Sequence, residues 1–273
     1  MSNGAAAARH QAAPEIRERD HQLATPYGVV VAREWGTASS LVPLVLLHDS
    51  LGCIDLWRGL PSKLAQVTGR RVIAYDRPGF GQSAPQDRRP RPDFVVSEAE
   101  HAFRAVLDGF GIDRFVAAGH SVGGGMTLAI AAAYPKRCLA GITISAQSFL
   151  EDLTRAGIRE AETQFADPAM RQKLARYHGA RTDWVLDAWI GSWLSPAFDG
   201  WSLDAVLAKI RQPLLSIHGA LDEYGSPEQL KRIADISAGP VRSLLIGDAA
   251  HFPHRSHEGA TLAAIAAFLD GVE

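Results

Sequence analysis

Apolar residues recur along this chain in two rhythms, short continuous runs and longer stretches with helical spacing between them. The continuous runs predict buried strands at Leu41 to Leu47, Arg71 to Tyr75, Phe115 to Ala118, Leu139 to Ser145, Pro213 to His218 and Val241 to Ile246. Residues 22 to 35 alternate around Pro26-Tyr27-Gly28, the pattern of a hairpin at a sheet edge. Helices are expected over about Ile54 to Val67, Val96 to Phe110, Pro227 to Ala238 and Glu258 to Leu269, and after Ser121 until Pro135 stops the chain. Strands alternating with helices predict an α/β fold, a mostly parallel sheet flanked on both faces.

The rhythm breaks between about Phe149 and Ile210, where only helical segments occur. Asp167-Pro168 reads as an N-cap and first-turn proline, and Gly179 closes that helix. Thr182 is expected to cap the next segment, whose Trp184, Val185, Leu186, Trp189, Ile190 and Trp193 fall on more than one helical face. A helix apolar nearly all round is buried on several sides. The expected organisation is an N-terminal tail over 1–20, a core over 21–147 and 211–273, and a helical cap over 148–210. Trp189 and Trp193 are candidates for the substrate pocket, although each serves equally well as the cap's own core.

Hydrophobic residues make up 47% of the 273-residue chain and charged residues 21%, the balance of an ordinary globular protein. A net charge of -2 and a pI near 6.6 provide no general field for nucleic acid or an anionic membrane. The cluster Arg88, Arg89 and Arg91 sits in a proline-rich loop and is expected to be solvated surface. No apolar run is long enough to span a bilayer, and residues 1 to 20 lack the apolar segment and cleavage site of a secretory signal. Two cysteines, Cys53 and Cys138, fit reduced thiols in a cytoplasmic protein. A monomer or homodimer acting on a small molecule is expected, with no cofactor and no metal.

Chemistry concentrates at Gly119-His120-Ser121-Val122-Gly123, a G-x-S-x-G between a strand and a helix. The chain must reverse there in almost no space, and a Cβ at Gly119 or Gly123 would collide with backbone. The turn presents Ser121 beside the N–H groups that open the next helix, a setting for an oxyanion. Downstream, Asp222 and His251 each follow a predicted strand by a few residues, so all three converge on one edge of a parallel sheet. A serine hydroxyl needs a base during attack, and an imidazole suits that task near neutral pH. His251 is the expected base and Asp222 its partner. The spacing from the last strand favours His251 over His254 and His257. His48, His120 and His218 read as hydrogen-bonding groups at strand ends, and Ser145-Ala146-Gln147 offers no carboxylate as an alternative triad acid.

The chain resembles the α/β-hydrolase superfamily from residue 22 to 273, through LLHDSLG at 46–52, YDRPGFGQS at 75–83, GHSVGG at 119–124, IHGALDEYGSP at 217–227 and DAAHFPH at 248–254. The resemblance implies an eight-stranded, mostly parallel sheet, a helical cap after the sixth strand and a cofactor-free hydrolase. It further implies an oxyanion hole from the backbone N–H groups of Val122 and Ser50. Where the superfamily usually has His-Gly, this chain has His48-Asp49. The carboxylate of Asp49 is therefore a candidate for tuning the site, and Asp49 and His120 join the pocket candidates. A serine nucleophile favours cleavage of small carboxylic esters or lactones through an acyl-enzyme. Carbon-carbon bond hydrolysis of aromatic ring-fission products, or a ligand receptor with little turnover, are the alternatives on the same scaffold.

Overall fold

The computed structural model describes residues 16–36 and 39–273. Most of the tail expected over 1–20 lies outside these residues, but its end does not. Strand β1 (Glu18–Thr25) begins inside that stretch and pairs antiparallel with β2 (Gly28–Trp35). Its first residues are held by Glu18 to Trp35 Nε1 at 2.9 Å and by ion pairs of Arg33 with Glu18 and Asp20. An edge strand made of Glu, Arg and Asp carries no apolar signal, which is why the sequence pattern does not report it.

Eight strands form one sheet in the order β1-β2-β4-β3-β5-β6-β7-β8. Strands β3 (Leu44–Leu47), β4 (Val72–Tyr75), β5 (Phe115–His120), β6 (Cys138–Ile144), β7 (Leu214–Gly219) and β8 (Val241–Ile246) run parallel. Side chains alternate across the pleat, so one strand feeds two cores. Val45 and Leu47 join one layer with Phe103, Phe115 and Met126, and Leu44 and Leu46 join the other with Leu64, Ile142 and Ile265.

The core helices are α1 (Leu60–Thr68), α2 (Phe94–Ser97), α3 (Ala102–Gly109), α4 (Val122–Ala133), α9 (Glu228–Ile236), α10 (Pro253–Ser256) and α11 (Glu258–Leu269), the last with the bounds read from sequence. Between β6 and β7 lie α5 (Asp152–Gln164), α6 (Pro168–His178), α7 (Thr182–Leu186), a π-helical turn at Asp187–Gly191 and α8 (Asp204–Leu207).

Two expected helices are interrupted. The first breaks at Arg58, whose φ is 54°, separating a 3₁₀ turn at Ile54–Trp57 from α1. The second breaks at His101, between the turn that carries Glu98 inward to the Tyr75 hydroxyl (2.5 Å) and α3. Asp167 caps α6 through Ala169 N, as its sequence predicts. Thr182 does not cap α7; it is the helix's first residue, and its hydroxyl turns back to the Gly179 carbonyl at 2.8 Å.

Contacts place the helical segment over the carboxyl ends of the strands. His178 of α6 accepts from Gly81 N (3.0 Å) and donates to the Leu51 carbonyl (2.9 Å), bridging the loops after β4 and β3. Arg181 donates to the carbonyls of Gly81 and Ser83. On the other side, Thr154 of α5 donates to the Tyr224 carbonyl (2.7 Å) in the loop after β7.

Candidate functional site

The loops under this segment meet where the strand order reverses, between β3 and β5, the usual crevice of an open α/β sheet. Ser121 follows β5 with φ 56° and ψ -122°, outside the favoured regions for an L-residue. Such angles cost roughly 1–3 kcal/mol and persist only when the surroundings enforce them. The neighbours do so here. A Cβ on Gly119 would lie 2.1 Å from the Gly123 carbonyl oxygen, and one on Gly123 would lie 2.1 Å from that of Leu47. Only glycines allow strand, turn and helix to approach this closely.

Ser121 opens into a cavity of about 100 Å³, lined also by Asp49, Ser50, Leu51, Gln147, Trp189 and His251. His251 hangs from the loop after β8. Its Nδ1 donates to the Asp222 carboxylate, with Oδ2 at 2.8 Å and Oδ1 at 2.9 Å. Asp222 Oδ1 also accepts from the N–H groups of Tyr224 (2.8 Å) and Gly225 (3.2 Å). Burial works against the ionised carboxyl, but the His251 hydrogen bond, the Tyr224 N–H and the neighbouring imidazoles of His251 and His218 outweigh it and hold Asp222 below the usual carboxylate range. With Nδ1 committed to Asp222, Nε2 is the nitrogen left for proton exchange. Among the described residues Ser121 Oγ and His251 Nε2 share no hydrogen bond, a contact that often tightens only with substrate bound.

The turn Asp49–Gly52 borders the cavity. Leu51 N donates to Asp49 Oδ1 (2.9 Å) and Gly52 N to Asp49 O (3.1 Å), while Ser50 N has no acceptor among the described residues. Val122 N opens α4, where no preceding carbonyl can accept it. The departure from His-Gly thus has a visible local effect, because the carboxylate of Asp49 pins the turn whose Ser50 N–H stays free.

The remaining sequence candidates divide. Asp49 and Trp189 line the cavity; His120 and Trp193 do not. Trp193 is 1% exposed and packs against Phe94, Phe198 and Trp201, so it is core of the helical segment. His120 lies behind the site, its Nε2 donating to the His251 carbonyl (2.8 Å) and its Nδ1 facing Asp49 Oδ2 at 3.2 Å. His48 takes the N–H of Arg77 on Nε2 (3.1 Å) and gives Nδ1–H to Asp49 O (2.8 Å), so it is neutral. His218 donates to Gly225 O (2.8 Å). His254 is buried against Trp57 and His120, and burial takes it down to about 2. His257 pairs with Asp248 at 3.0 Å. Burial pushes the Cys53 thiol up to about 12, which suits a bystander.

Several residues at the site were not among the candidates read from the sequence. Glu223 Oε2 accepts the backbone N–H of His251 (3.2 Å), and the Tyr224 ring packs edge-on to the imidazole with centroids 4.8 Å apart. Gln147, Thr154, Ile158 and Phe252 complete the lining. Glu223, Tyr224 and Phe252 lie within the motifs at 217–227 and 248–254, next to Asp222 and His251, and that adjacency is the signal that could have singled them out.

A family model described as "alpha/beta hydrolase fold" matches residues 42–258. The chain is 36% identical over 103 residues to the human 1-acylglycerol-3-phosphate O-acyltransferase ABHD5, covering 36% of this chain and 28% of that protein. It is 34% identical over 142 residues to the dihydrolipoyllysine-residue acetyltransferase component of the acetoin cleaving system of Pseudomonas putida, covering 47% and 36%. The matched region thus spans about a third of these curated relatives. Among solved structures, 2-hydroxy-6-oxo-6-phenylhexa-2,4-dienoate hydrolase from Rhodococcus superposes with TM-score 0.79 at 16% identity, over 94% of this chain and all of that one (100%). The enol-lactonase from Burkholderia xenovorans superposes with TM-score 0.69 at 20% identity, over 92% and 100%.

Proposed function

The chain belongs to the α/β-hydrolase family, and we propose that it is a serine hydrolase cleaving small carboxylic esters or lactones through an acyl-enzyme. The observation that carries this reading is a single cavity receiving both the strained Ser121 and the imidazole fixed by Asp222.

In this mechanism Ser121 Oγ attacks the ester carbonyl as His251 Nε2 takes its proton. Asp222 holds the tautomer and offsets the charge of the imidazolium. The N–H groups of Val122 and Ser50 receive the oxyanion, each donor contributing roughly 3 kcal/mol to the barrier reduction. His251 returns the proton to the leaving alkoxide. Water, deprotonated by the same imidazole, then attacks the acyl-enzyme, and collapse of the second tetrahedral intermediate frees Ser121 and the acid.

Ester cleavage suits the cavity better than cleavage of ring-fission dienoates. Those substrates carry a carboxylate, whereas among the described residues no Lys or Arg lines the cavity to pair with it. The volume of about 100 Å³ suits an acyl group of a few heavy atoms. The helices over 152–207 act in this reading as a cap that sets acyl size.

The test is turnover of p-nitrophenyl esters of increasing acyl length, with Ser121→Ala as the comparison. Short esters are expected to react fastest, and Ser121→Ala to lower kcat by about 10⁴- to 10⁶-fold. Near-normal turnover in the variant would overturn the mechanism. Folded wild-type protein that is stabilised by a ligand yet turns over no ester would favour a receptor.

A further inference from the structure

Two glutamines border the space beside Ser121, and they differ completely in how their amides are satisfied. Gln229 is saturated: its Oε1 accepts from Ser148 N (2.8 Å) and Ser148 Oγ (2.9 Å), and its Nε2 donates to Phe149 O (3.0 Å) and Glu151 Oε1 (2.5 Å). Gln147 has no partner at either end of its amide among the described residues, and its Nε2 is enclosed. Gln147 lines both the cavity and a side pocket of about 10 Å³ bounded also by Ser121, Ser145, Tyr224 and His251. Ser145 Oγ, 2% exposed as a residue, is enclosed and unpartnered as well. Each unpaired buried polar group costs roughly 1–3 kcal/mol.

The backbone at these two residues is held in place. Ser145 has φ 46°, a left-handed angle that turns the chain sharply off β6. Its N–H is tied to Ile217 O (2.8 Å), and two residues on, Gln147 N reaches the carbonyl of Ser121 itself at 3.4 Å. Ala146 is wedged so close to α4 that a Cβ on Gly124 would meet its own Cβ at 2.6 Å. The backbone that carries the orphaned amide is therefore fixed relative to Ser121, on the side of the cavity away from the Asp49 turn.

We propose that Gln147 and Ser145 form a subsite for a neutral oxygen on the acyl chain. Resting on the serine hydrolase reading above, this makes the preferred substrates esters or lactones of short alkoxy, hydroxy or oxo acids. The oxygen is neutral because, among the described residues, no Lys or Arg lines the cavity or the side pocket to offset a charge. The subsite is a specificity element; bond making and breaking stay with Ser121 and His251.

The test is a substrate and variant cycle. Phenyl butanoate and phenyl methoxyacetate differ by an ether oxygen in place of a methylene, and the ratio of their kcat/KM values is measured in wild type, Gln147→Leu and Ser145→Gly. The glycine removes the hydroxyl and accepts the left-handed angle, so one variant remains informative if the other misfolds. Comparing ratios between proteins cancels the intrinsic reactivity of the two esters. Gln147→Leu is expected to lower the preference for the ether by about tenfold, and Ser145→Gly by a smaller factor. Ratios unchanged in both folded variants would overturn the subsite, as when only water occupies it. Failure of the underlying reading looks different: wild type hydrolyses neither ester, or Ser121→Ala hydrolyses both.

Discussion

Asp49 Oδ2 lies 3.2 Å from His120 Nδ1. The other ring nitrogen of His120 faces the carbonyl oxygen of His251 at 2.8 Å, and a carbonyl can only accept, so Nε2 carries a hydrogen. A second proton must then lie between Nδ1 and the carboxylate, or two lone pairs would face each other. The pair spans from the turn that presents Ser50 to the loop that presents His251, behind both.

Asparagine at position 49 can reproduce this arrangement with no shared proton. Its Nδ2 can donate to a neutral His120 while its Oδ1 still accepts from Leu51 N. Asp49→Asn is expected to keep stability within about 1 kcal/mol and kcat within a few-fold of wild type. Asp49→Ala strips Leu51 N and His120 Nδ1 of their partners and should cost about 1–3 kcal/mol, with a drop in kcat as the turn loosens. Denaturant unfolding and initial rates check both. A large rise in kcat for Asp49→Asn would mean that Asp49 presents an uncompensated negative charge to the oxyanion, and would refute the shared proton.

Two tryptophans four residues apart should respond in opposite ways. Trp193→Ala is expected to cost about 3–5 kcal/mol, the range for truncating a buried aromatic. Trp189 faces the cavity and packs on Tyr224 with ring centroids 5.8 Å apart. Trp189→Ala should cost less in stability and change the relative kcat/KM of short and long esters. Unfolding midpoints paired with an acyl-length series separate the two, and equal stability losses with no change in preference would place Trp189 in the structural core instead.

Acid should destabilise the protein well before its depressed carboxylates titrate. Burial holds His48, His178 and His254 below the ordinary histidine value, so below pH about 6.5 the unfolded chain takes up protons that the fold refuses, and stability falls with pH. Asp76 and Glu98 oppose this. Burial raises Asp76 to about 6 and lifts Glu98 above the usual carboxylate range, so the folded state holds their protons longer and gains stability as pH falls toward 4. The lowered histidines outnumber these two carboxylates, so on balance stability is expected to fall as pH drops from about 6 to 5. Urea midpoints across pH 5 to 8 measure it, and a midpoint that is flat or rises toward pH 5 would contradict the assignment.

The amino-acid sequence by itself determined the sheet and the reversal at Ser121, because both follow from short-range rules. Continuous apolar runs such as Leu44–Leu47 and Phe115–His120 are stable only as strands covered on both faces, and Gly119 and Gly123 flank a turn that tolerates no Cβ. The chain order of Ser121, Asp222 and His251 at strand ends was legible for the same reason, since a parallel sheet brings such ends to one edge.

The tertiary structure alone decided which chemically identical residues face the cavity. Trp189 and Trp193 share an apolar, nearly uniform helical segment with no periodicity to orient it, and the π-helical turn at Asp187–Gly191 shifts its register. Gln147 and Gln229 are the same residue with opposite fates, set by whether chain distant in sequence arrives to satisfy the amide. His120 reads locally as part of the elbow, yet its partners are Asp49 and His251, at separations of 71 and 131 residues. Local pattern carries no information about contacts at that range, and the packing of the loops over the sheet supplies it.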